Sequence, residues 1–85
     1  MIKLEYGNGV DNRELIGECK SIKEAFSKIV NYLTEIKYEP YYYRINYSDE
    51  NGKEIWIDFG SYTKFFFVNG YSDDEYNEWR KEIEK

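Results

Sequence analysis

The first residues of the chain alternate. Ile2, Leu4 and Tyr6 are apolar while Lys3 and Glu5 are charged, the period-two signal of a strand with one face buried. Gly7-Asn8-Gly9 breaks the pattern, and Arg13 to Cys19 predicts a second strand returning as a hairpin. Gly17 weakens that strand, because glycine has no side chain to pack. The period then changes. Ile22, Ala25, Phe26, Ile29, Val30, Leu33 and Ile36 recur at three- and four-residue spacing, which lays one apolar stripe along a helix of about four turns. Ser21-Ile22-Lys23-Glu24 has capping-box spacing at its start, and Pro40 lies beyond its end, where a helix has to have stopped.

Strand signals resume after Pro40. Tyr41 to Tyr47 is rich in strand-forming types, Glu54 to Phe59 alternates, and Thr63 to Val68 is nearly all apolar or aromatic. A three-residue loop, Glu50-Asn51-Gly52, sets Asp49 against Lys53 and pairs Tyr47 with Ile55, Ile45 with Ile57 and Tyr43 with Phe59. The other face then pairs Asn46 with Trp56 and Arg44 with Asp58. A two-residue Asn51-Gly52 turn would set Ile45 against Asp58 instead, so chemical matching favours the longer loop. Two registers stay open for the next turn. Gly60-Ser61 as a type II′ turn pairs Ile57 with Lys64, whereas a loop through Tyr62 pairs Ile57 with Phe65 and Ile55 with Phe67. Turn chemistry favours the first and packing the second. Phe65 to Val68 is apolar on both faces, which predicts a strand covered on both sides.

Asn69-Gly70 ends that strand, and Ser72-Asp73-Asp74-Glu75 forms a second capping box with acids where the helix dipole favours them. Tyr76, Trp79 and Ile83 mark the buried side of a short last helix. The order β-β-α-β-β-β-α predicts one α+β domain over residues 1–85: an antiparallel sheet of four to five strands with a long helix on one face.

Composition narrows the chemistry. There is no histidine among the 85 residues, so Ser-His-Asp and Cys-His catalysis and imidazole metal ligation are excluded. The single Cys19 has no partner for an internal disulfide and no histidine to activate it, and reads as a small apolar strand residue. Seventeen acids against twelve bases leave a net charge of −5, which argues against direct binding of nucleic acid or anionic lipid. The N-terminus lacks a signal-peptide pattern and the apolar runs are short, so the expected location is the cytoplasm.

The carboxylates offer little catalytic geometry. Glu54 and Asp58 share a strand face but stand roughly 13 Å apart, too wide for a glycosidase pair. Asp73, Asp74 and Glu75 are accounted for by capping. No cofactor and no metal site is expected, and no enzymatic activity. The tyrosines are the anomaly: ten of them, of which Tyr43, Tyr47 and one of Tyr32 or Tyr76 fit core edges, while Tyr38, Tyr41, Tyr42, Tyr62 and Tyr71 have no forced structural role. Tyr42, Arg44 and Trp56 gather beside Glu54 and Asp58 on the sheet face away from the long helix. Either the last helix covers this face, with Trp79 near Trp56, or the face is a protein-binding patch, since Tyr, Trp and Arg are enriched at interface hot spots.

The stretch Trp56-Ile57-Asp58-Phe59-Gly60-Ser61-Tyr62-Thr63-Lys64-Phe65-Phe66, following Tyr41-Tyr42-Tyr43-Arg44 and the helix that opens Ser21-Ile22-Lys23-Glu24-Ala25-Phe26, resembles small proteins of phages and prophages of Gram-positive bacteria. In size, acidity and aromatic content the chain also resembles phage inhibitors of host defence, such as anti-CRISPR proteins, restriction inhibitors and inhibitors of uracil-DNA glycosylase. The resemblance implies a non-enzymatic inhibitor of a host protein that processes nucleic acid. Tyr42, Arg44, Glu54, Trp56, Asp58, Tyr62, Asp73, Asp74, Glu75 and Glu78 would then supply an acidic, tyrosine-rich binding surface. Two alternatives stand beside it: a nucleotide-binding sponge, and a homo-oligomeric phage structural or accessory protein, for which a homodimer is the simplest form.

Overall fold

The structure is a computed structural model that describes residues 1–8, 12–40, 42–46, 54–61 and 63–83. The elements run β1 (Ile2–Gly7), β2 (Arg13–Cys19), α1 (Ile22–Glu35), β3 (Arg44–Asn46), β4 (Glu54–Asp58), β5 (Phe65–Asn69) and α2 (Asp73–Ile83). The five strands form one antiparallel sheet in the order β2-β1-β5-β4-β3. An N-terminal hairpin and a C-terminal meander are thus joined where β1 pairs with β5. The chain passes from one sheet edge to the other through α1.

Register fixes which side chains share a face. Ile2, Leu4 and Tyr6 of β1, Phe66 and Val68 of β5, and Ile55 and Ile57 of β4 fall on one side by their pairing. Against that side pack Ile22, Ala25, Ile29 and Leu33 of α1 and Trp79 of α2, forming the core with Phe59 and Tyr71. Truncating one of these, such as Leu4→Ala, removes about 2–5 kcal/mol of stability. Both helices therefore lie on the same face. α1 is shorter than its apolar stripe: it stops at Glu35, and Val30 and Ile36 are exposed rather than buried.

Both helix starts carry the expected N-cap serine, but at α1 only the forward half of the capping box forms. Ser21 Oγ accepts from the Glu24 amide at 3.0 Å. At α2 the box closes in both directions, with the Glu75 amide donating to Ser72 Oγ and the Ser72 amide to a Glu75 carboxylate oxygen. The end of α1 is a Schellman turn. The Lys37 amide donates to Thr34 O and the Tyr38 amide to Leu33 O, with Lys37 at φ 58° where glycine is the usual occupant.

The β3–β4 register is the one matched on chemistry: Arg44 opposite Asp58, Ile45 opposite Ile57, Asn46 opposite Trp56. The Glu50-Asn51-Gly52 turn, the Asp49–Lys53 opposition, the Tyr47–Ile55 pair and Tyr62 lie outside the described residues. Among the described residues β3 spans Arg44–Asn46, and its ladder stops short of Tyr43, which is exposed rather than set at a core edge.

The β4–β5 register corrects both expectations. Ile57 pairs with Phe66 and Ile55 with Val68, one step beyond the register that packing favours. The reason is local. Asp58 Oδ1 accepts the Gly60 amide at 2.9 Å and Ser61 Oγ accepts the Lys64 amide at 3.2 Å. These side chains brace a longer connection, with Gly60 at φ 92°. The shift turns Phe66 and Val68 toward the helices and sends Phe65 and Phe67 to the other face. The expected β1–β2 hairpin forms with a bulge: Leu4 pairs with Gly17 but Glu5 pairs with Leu15, so Ile16 is an extra residue.

Candidate functional site

The face away from the helices is where most of the sequence-predicted site residues meet. By register it carries Glu5, Arg13, Leu15, Arg44, Glu54, Trp56, Asp58, Phe65, Phe67 and Asn69. No helix among the described residues covers it. Trp79, the candidate cover, instead stacks on Phe26 of α1, ring centres 5.9 Å apart.

At the centre of this face Arg13 does the work of a missing layer. It starts on the edge strand β2 and reaches across β1 and β5 to Glu54 on β4. Two parallel hydrogen bonds join the groups, Nη1 to Oε2 at 2.5 Å and Nη2 to Oε1 at 2.9 Å. Glu5 lies 3.7 Å away on the near side. Gly7 lies opposite Arg13 in the ladder. Any Cβ there would strike Asn12 O at 1.9 Å. The guanidinium lies 3.7 Å from the centre of the Phe67 ring, a cation–π contact that caps the ring. Trp56 closes the opposite side edge-on, 4.9 Å from Phe67. Phe67 is fully buried, although no second sheet or helix among the described residues lies above it.

The polar atoms of this assembly are mutually satisfied. Asn69 donates to Glu5 at 2.6 Å and to Glu54 at 3.1 Å, and the Trp56 indole donates to Glu54 at 2.8 Å. Burial pushes the Glu54 carboxyl up, but hydrogen bonds from Arg13, Asn69 and Trp56 outweigh it and hold the group below the usual carboxylate range. The bonds to Glu54 raise Arg13 in turn. Glu54 is thus a locked structural anion, unsuited to moving a proton near neutral pH.

Toward the β3 edge the face opens to solvent. Tyr42 and Arg44 are exposed, the Arg44 guanidinium 5.5 Å from the centre of the Tyr42 ring. Asp58 lies opposite Arg44 in register, yet its carboxylate is engaged by the Gly60 amide and, at 3.4 Å, by the Tyr42 hydroxyl. The expected Arg44–Asp58 pair is one of position rather than an ion pair.

The structure does not bring the remaining candidates to this face. Asp73, Asp74, Glu75 and Glu78 belong to α2, on the helix side, and the Glu75 carboxylate is drawn down by its bonds with Ser72. The acidic set is therefore split between two sides of the molecule. Sequence reasoning missed Arg13, Glu5, Phe67 and Asn69. The one available signal was the apolar run on both faces of β5, which demanded a cover of some kind. Tyr71 and Tyr38 also gain roles: Tyr71 is buried beside Tyr76, and Tyr38 packs edge-on against Phe59. Cys19 is buried, and burial pushes its thiol up.

Among the described residues no group of three or more carboxylate or thiol ligands could hold a metal ion, and no helix is long and apolar enough to cross a membrane. No family model matches the chain, and neither a curated protein nor a solved structure aligns with it significantly.

Proposed function

We propose that the chain is a non-catalytic binding protein that grips a partner protein through the open face of its sheet. The observation that carries this reading is the one-sided packing: both helices serve one face, while the other presents Trp56, Phe65, Tyr42, Arg44 and Leu15 above a finished polar network. Aromatic rings and arginine on a rigid, already satisfied platform lose little conformational freedom on docking, which is what an interface anchor requires. The acids of α2 point to the other side of the molecule and are left out of this surface.

The partner class follows from the resemblance to phage anti-defence proteins: a host protein that processes nucleic acid, bound directly and without nucleic acid in between. The test is affinity capture from a Gram-positive host lysate at low salt, run in parallel with the wild type, Trp56→Ala and Arg44→Glu. The reading expects a nucleic-acid-processing protein held by the wild type and lost from both variants. Recovery of none counts against the partner class, and equal recovery by all three counts against the surface.

A further inference from the structure

A different surface lies at the β3 edge of the sheet, on the helix side. Four exposed apolar side chains line two hollows there: Val30 at 52% exposure, Tyr43 at 46%, Ile83 at 42% and Ile45 at 36%. Tyr43 and Ile45 are two residues apart on one extended segment, so the hollows are neighbours. Ile45 shares its hollow with Phe26 and Trp79. β3 has β4 on one side, and no described strand pairs with its other edge. An unpaired edge beside apolar side chains is a template for another strand.

We propose that this edge is the dimer interface of the chain, with β3 pairing antiparallel to β3 of a second copy about a two-fold axis at Ile45. The strand is self-complementary in that register. Ile45 meets the partner copy's Ile45 on the helix side, and on the open face Arg44 stands opposite the partner copy's Asn46, a guanidinium donor against an amide oxygen. Charge agrees as well. The hollow around Ile45 carries Lys23 on its α1 wall and Glu82 on its α2 wall, so a two-fold copy meets it with opposite charges available on both sides. A stable dimer buries about 800 Å² per partner. The described ladder, Arg44–Asn46, cannot supply that by itself, so the proposed interface also brings the Val30 and Ile83 walls together across the axis. Two sheets joined this way form one ten-stranded sheet with both open faces on the same side, doubling the surface assigned above without depending on it.

Sedimentation velocity over about 5–500 µM tests this with the full chain alone. The wild type is expected to dimerise. Ile45→Lys places a charge on the axis, and Asn46→Arg confronts it with Arg44 of the other copy. Each is expected to weaken association at least tenfold while far-ultraviolet circular dichroism stays unchanged. Asn46 is exposed, so Asn46→Arg reads the interface even if Ile45→Lys disturbs the fold. Glu18→Lys, at the opposite sheet edge, is expected to leave association intact. A monomer throughout, or a dimer indifferent to Asn46→Arg, overturns the proposal and leaves the edge to a strand from another protein.

Discussion

The Arg13 guanidinium lies over the Phe67 ring, 3.7 Å from its centre, while its two terminal nitrogens hold Glu54. One side chain thereby roofs a fully buried aromatic residue and neutralises the carboxylate that anchors Asn69 and Trp56. Arg13→Ala uncovers the ring and leaves Glu5 and Glu54 facing each other without a cation. We expect it to lower the unfolding free energy by about 2 kcal/mol, less than for a fully buried pair because the groups retain some solvent. Replacing both partners with apolar residues, Arg13→Met with Glu54→Leu, should cost less than Arg13→Ala alone. Urea denaturation of the three variants measures the difference.

The same network sets an acid limb. Glu54 is held below its ordinary carboxylate value in the folded protein, so the unfolded state binds its proton first as the pH falls. Its contribution is complete above the unfolded pKa of about 4.3 and is lost as the pH drops through the lower folded value. Stability measured from pH 7 down to pH 2 should fall more gently in Glu54→Gln than in the wild type over that window. Parallel curves would remove Glu54 as the cause.

At the other end of the molecule, Lys37 occupies the left-handed position of the α1 Schellman turn. A residue with a Cβ is strained there and glycine is not. Lys37→Gly is expected to raise stability by about 1 kcal/mol, seen as a higher melting temperature. A decrease would mean that the lysine side chain makes a contact that outweighs the strain.

These features were unevenly legible in the sequence. Both caps, β1, β2 and the β3–β4 register follow from local chemistry, because Ser-x-x-Glu spacing and period-two alternation report directly on neighbouring backbone. The β4–β5 register does not, since it is set by Asp58 and Ser61 bracing the turn, which no residue count reveals. Val30 and Ile36 read as core because helical spacing gives a stripe but not the width of sheet beneath it. The site was half visible. Tyr42, Arg44, Trp56, Glu54 and Asp58 share a face by strand parity, whereas Arg13 joins them only through a strand order, β2-β1-β5-β4, that alternation along one segment does not encode.

The open sheet face as a binding surface is tested most directly by site-specific photocross-linking. The photoreactive benzoylphenylalanine replaces Tyr42 on the open face or, in a parallel sample, Val30 on the helix side, and each protein is irradiated in a Gram-positive host lysate. The account predicts a discrete adduct with a nucleic-acid-processing protein from position 42, reduced by adding Trp56→Ala. Adducts with a host protein from position 30, as distinct from a second copy of the chain, with none from position 42 would contradict it.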